Sequence, residues 1–96
     1  ALKWFQASAE QGYALAQFNV GAYYEQGLGV EPDVRKAAQW YTRAADQGDT
    51  RALVALAECY LTGKGVTPDR ENAKKCLDHA ASLGSEEAVK LLRKSF

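Results

Sequence analysis

The segment Gly27-Leu28-Gly29-Val30-Glu31-Pro32-Asp33 returns as Gly63-Lys64-Gly65-Val66-Thr67-Pro68-Asp69, 36 positions further along a chain of 96 residues. Five identities within seven positions are not a chance event, and the match extends beyond them. Between 13–48 and 49–84, 11 of 36 aligned pairs are identical, among them Ala16 with Ala52, Tyr24 with Tyr60, Ala37 with Ala73, Ala44-Ala45 with Ala80-Ala81, and Gly48 with Gly84. The opening residues 1–12 match 37–48 at Ala1, Trp4, Ala9, Gln11 and Gly12. A fixed period of this length is the signature of stacked units, each burying its apolar face against the next.

Within a unit the apolar spacing is helical. Ala16, Val20, Gly21 and Tyr24 fall on one face over 14–26, and Ala37, Trp40, Tyr41, Ala44 and Ala45 do so over 34–46. Gly27 offers the left-handed conformation that ends a helix. Asp33 offers a side chain to the free amides that begin the next one. Pro32 precedes that cap, where no helical hydrogen bond is lost, and Val30, like Val66 in the second bend, is expected to be the one buried residue of the bend. The spacing therefore predicts helices over 1–10, 14–26, 34–46, 50–62, 70–82 and 85–95, joined alternately by the seven-residue bend and by a short turn around Gly48 or Gly84. In the last of them, Glu86 and Glu87 near the start and Lys90, Arg93 and Lys94 near the end suit the helix dipole, and Glu86–Lys90 is an expected i,i+4 pair. The aromatic series Trp4, Tyr24, Trp40, Tyr41 and Tyr60 has the spacing of interhelix packing.

The expected fold is all-α, an α-α superhelix of right-handed sense without strands. Residues 1–96 form a single domain: a half unit 1–12, full units 13–48 and 49–84, and a half unit 85–96. Because the chain starts at Ala1, contains no methionine and begins and ends within a unit, it reads as a fragment of a longer solenoid whose end helices could self-associate. Its two cysteines, Cys59 and Cys76, assign no compartment. Twelve basic residues balance twelve acidic ones, so nothing draws the chain as a whole to nucleic acid or an anionic membrane. No apolar run approaches the roughly 18 residues of a membrane span.

These residues resemble the Sel1-like repeat family, a relative of the tetratricopeptide repeats. The first unit carries the family's pattern at Ala16, Val20, Gly21, Tyr24, Gly27, Gly29, Val30, Asp33, Ala37, Trp40, Tyr41, Ala44, Ala45 and Gly48. The second departs from it at Cys76 and Leu77, where large aromatics are usual. The resemblance implies a non-enzymatic scaffold that binds a protein or peptide in its concave groove. A spacer or self-assembly role is the alternative. A secreted, cysteine-rich branch of similar repeats is linked to beta-lactam binding or hydrolysis, but it places cysteine where this chain has Ala45 and Ala81.

Candidate chemistry is sparse. Gly63-Lys64-Gly65 lacks the Ser or Thr and the preceding strand of a phosphate loop. Cys76 and His79 are three apart, short of the four ligands of a structural zinc site, and a thiol in an apolar layer is inert. Asp33 and Asp69 are accounted for as caps. No cofactor or metal is expected. The surface left for recognition is the flank of each first helix away from its hairpin partner. It carries Asn19, Tyr23 and Gln26 in one unit and Glu58 and Thr62 in the next, and these are the expected partner-binding residues.

Overall fold

A computed structural model describes residues 2–96 and consists, among these, of six α-helices and no strand: α1 Leu2–Glu10, α2 Ala14–Gln26, α3 Val34–Asp46, α4 Thr50–Thr62, α5 Arg70–Ser82 and α6 Glu86–Ser95. Four of the six expected spans match to the residue. Each helix packs on its neighbours in sequence, giving antiparallel hairpins stacked into a slab of 37 × 24 × 16 Å. The molecule is an all-α repeat solenoid.

The repeated bend works by the same bonds both times. Gly27 and Gly63 take left-handed φ values of 72° and 77° and close α2 and α4. A β-carbon on Gly27 would also lie 2.6 Å from Pro32 Cγ, and one on Gly63 2.7 Å from Pro68 Cγ, so glycine is required for space as well as conformation. The amides of Asp33 and Asp69 donate back to Tyr24 O and Tyr60 O, each at 2.9 Å. Their carboxylates then cap the following helix: Asp33 accepts from the Arg35 and Lys36 amides at 3.1 Å, and Asp69 from the Asn72 amide at 3.0 Å. In the short turns, Asp49 and Ser85 cap α4 and α6 in the same way.

Alanines at 37, 44, 45, 52, 57, 73, 80 and 88 are buried and let the helices approach closely, with Val20, Leu53, Leu56 and Leu77 filling the layers between. The two units solve one packing problem with different pairs. In the first, a β-carbon on Gly21 would come within 2.8 Å of the Tyr41 ring. In the second, Ala57 stands at the glycine position and Leu77 at the tyrosine position, both with no exposed surface. The departure at Leu77 is therefore compensated by an added methyl across the interface.

Three expectations are corrected. Trp4 is 81% exposed rather than core, whereas its repeat counterpart Trp40 is half-buried beside α1. Trp40 has the preceding second helix to lean on, and Trp4 has none among the described residues. Glu86 and Lys90 are exposed and form no ion pair. Those that form among the described residues are Lys64–Glu25 at 3.0 Å and Arg51–Asp49 at 3.6 Å. Val30 and Val66, expected to be buried within the bends, are only half-buried.

Candidate functional site

Three of the surface depressions are lined wholly by described residues. One, of about 550 Å³, lies between Val34-Arg35 and the second bend at Gly63, Gly65, Val66 and Thr67 and presents no aromatic side chain. Another, of about 450 Å³, runs along α3, but its aromatic faces are already covered. Lys36 sits 5.4 Å from the Tyr24 ring centre and Arg43 4.8 Å from that of Trp40. The third, of about 310 Å³, is a cleft between α2 and α4 and combines apolar, aromatic and charged groups.

The cleft takes Phe18, Ala22, Glu25 and Gln26 from α2 and Ala55, Glu58, Cys59 and Thr62 from α4, with Tyr41 of α3 and Lys64 of the bend. Of the expected partner-binding residues it brings together Gln26, Glu58 and Thr62. Asn19 and Tyr23 are half-buried and do not line it. The reason is geometric. At about 100° per residue, Asn19 and Tyr23 lie roughly a quarter turn round α2 from the line of Phe18, Ala22 and Glu25. Two helices related by translation face each other through opposite flanks, so α4 offers the positions equivalent to 19 and 23 while α2 offers those beginning at Phe18. The expectation had used the same flank of both helices.

Sequence reasoning missed the polar centre of the cleft. Tyr41 donates its hydroxyl to Glu25 Oε1 at 2.6 Å, and Lys64 donates from Nζ to Glu25 Oε2 at 3.0 Å. One carboxylate thus ties α2, α3 and the bend of the next unit. The available signal was charge placement alone: Glu25 and Lys64 stand where the other unit has Leu61 and Leu28. The Tyr41 ring also packs against Phe18, with centres 5.6 Å apart.

The electrostatics follow from this arrangement. Burial pulls Glu25 towards neutrality, but the Tyr41 hydroxyl and the Lys64 ammonium outweigh it and hold the carboxyl below its usual range. Burial, then hydrogen bonding to Glu25, pushes the Tyr41 hydroxyl far above its ordinary value. Glu58 goes the other way from Glu25: burial and the nearby Glu87 and Glu25 carboxylates raise it, with Lys64 offsetting only part. Burial, helped by Glu25, pushes the Cys59 thiol up to about 11.

The Cys59 thiol is protonated near neutrality, and no group of three or more His, Cys, Asp or Glu among the described residues is placed to hold a metal. Cys76 is half-buried and His79 exposed. A second buried polar link lies outside the cleft. Gln17, only 5% exposed, donates to Ala9 O at 3.0 Å and accepts from the Gln47 amide at 2.9 Å, joining α1, α2 and the end of α3. No helix among the described residues is long and apolar enough to cross a membrane.

The Sel1 repeat family model matches residues 1–13, 14–49 and 50–85, one residue later than the units drawn from the internal alignment. Among solved structures, a Sel1 repeat protein from Oxalobacter formigenes is similar at 38% identity and a TM-score of 0.93, over 96% of this chain and 69% of that one. The protective antigen c5321 of uropathogenic Escherichia coli strains, which displays an SLR fold, is 31% identical with a TM-score of 0.92, over 95% of this chain and 20% of its own. Cysteine rich protein B of Helicobacter pylori is 31% identical with a TM-score of 0.90, over 94% of this chain and 68% of its own. No curated protein sequence matches the chain. The family model covers three successive stretches of the sequence and the fold is shared with these structures, so the chain belongs to the Sel1 repeat family.

Proposed function

We propose that the chain is a docking module that holds a protein or peptide segment in the cleft between α2 and α4. Sel1 repeats are in general non-catalytic modules of protein interaction, and a non-enzymatic role for this chain is consistent with that. The observation that carries the reading is the lining of the cleft: small side chains at Ala22 and Ala55 leave room between two successive first helices, with Gln26, Glu58 and Thr62 at hand for a backbone or side chain. The test is a titration of the isotopically labelled chain with a pool of random dodecapeptides. Amide shifts should centre on Ala22, Gln26, Ala55 and Thr62, and Ala55→Trp, which plugs the cleft, should abolish them. Shifts centred on Trp40 and Arg43 instead would move the site to the α3 surface.

A second reading rests on Trp4 of α1 and on Val89 and Phe96 at the other end, apolar residues that are 81%, 36% and 40% exposed. Self-association through these helices would make the chain an assembly module. Sedimentation across a concentration series decides it, since a monomer throughout removes this reading.

A further inference from the structure

We propose that the cleft selects a peptide segment carrying a lysine or arginine side chain, its cation seated between Glu58 and Glu25 and its methylene stem lying on Ala22 and Ala55. This rests on the docking reading and names the partner chemistry. The chain is neutral as a whole, with twelve basic against twelve acidic residues, yet the cleft is lined by two carboxylates and one ammonium. Glu87 adds a third negative charge close enough to act on Glu58. The imbalance is therefore local to the cleft.

The cleft already receives one cation of this kind. Lys64 reaches back from the bend and places its ammonium 3.0 Å from Glu25 Oε2. Among the described residues Glu58 closes no such pair, although partial burial and two neighbouring carboxylates make its charge unfavourable. A second cation would relieve that repulsion, whereas an acidic or phosphorylated segment would add to it. The other cation nearby does not supply the need. Arg51 stacks on the Phe18 ring, 4.9 Å from its centre, and its charge is matched by Asp49 at 3.6 Å. A metal ion is a poor occupant, because one of the two carboxylates is already bonded to both Tyr41 and Lys64. An alkyl stem with a charged end fits a cleft lined by both small and charged side chains.

The experiment uses three fluorescein-labelled dodecapeptide pools, random except for a central position fixed as lysine, leucine or glutamate. Anisotropy with the full chain should show the lysine pool binding about 3- to 10-fold more tightly than the leucine pool, with the glutamate pool weakest. The preference should shrink between about 20 and about 200 mM salt. Glu58→Gln should erase it without unfolding the chain, since Glu58 is exposed, and Glu58→Lys should reverse it. Equal binding of the three pools, still blocked by Ala55→Trp, overturns the cation selection and leaves the cleft standing. Absence of binding by every pool overturns both.

Discussion

Gly29 and Gly65 occupy the same place in the repeated bend and have nearly the same backbone, with φ of 75° and 78°. Alanine at either must adopt a left-handed conformation, which costs about 1–2 kcal/mol. Their surroundings differ. A β-carbon on Gly29 meets nothing within 4 Å. One on Gly65 would collide with the carbonyl oxygen of Val34, with the carbonyl carbon 2.6 Å away and the Arg35 nitrogen at 3.2 Å. Those atoms belong to the first turn of α3, so the methyl would have to prise the second bend from the unit before it. Backbone cannot swing aside as a side chain can, and overpacking of this kind adds about 1–3 kcal/mol or more. Gly29→Ala should therefore cost about 1–2 kcal/mol and Gly65→Ala about 2–5 kcal/mol, the sum of the two effects. The conformational contribution cancels in the difference, which makes the comparison sharper than either variant alone. Urea unfolding followed by far-UV circular dichroism measures both. Equal destabilisation, within about 0.5 kcal/mol, would refute the claim that Gly65 is held by unit stacking.

Further tests follow from the same structure. Gly21→Ala should destabilise by about 1–2 kcal/mol through contact with the Tyr41 ring, and adding Tyr41→Leu, which recreates the Ala57/Leu77 pair, should couple favourably by about 1 kcal/mol in a double-mutant cycle; strict additivity would contradict it. Glu25 is more acidic in the folded chain, so its stabilisation is complete above the ordinary carboxylate range and fades as pH falls through its lowered value. Glu25→Gln should therefore lower the urea midpoint at pH 7 and flatten its fall towards acid, by no more than about 1 kcal/mol given the partial exposure of the pair. Glu58 has the opposite sign: its raised value means that ionisation costs stability, so Glu58→Gln should hold or raise the midpoint at pH 7 and lose that advantage as pH falls through the raised value. Gln17→Ala should cost about 1–3 kcal/mol by removing two hydrogen bonds, one to the Ala9 carbonyl and one from the Gln47 side-chain amide, read from thermal unfolding. Alkylation of Cys59 at pH 8 should be far slower than that of a free thiol and should become fast in urea.

The linear order of residues determined the period, the six helices and the caps at Asp33 and Asp69, because all of these depend on contacts within a few residues or on a pattern that repeats. Gly27 and Gly63 end their helices by a local conformation, which a sequence states directly. The apolar faces at Ala16-Val20 and Ala37-Tyr41 were legible for the same reason: the helical period alone places them together. The cleft was only half legible. Gln26, Glu58 and Thr62 were named, whereas Phe18, Glu25, Tyr41 and Lys64 were not, because their meeting depends on how one unit is set against the next. A repeat says that units are equivalent, but stacking makes the flanks of each helix inequivalent, one facing forward and one back. Only the tertiary structure chooses between them. The same holds for Lys64, 39 positions from Glu25: no local rule joins them, and the 3.0 Å contact exists because the second bend is packed against the first hairpin.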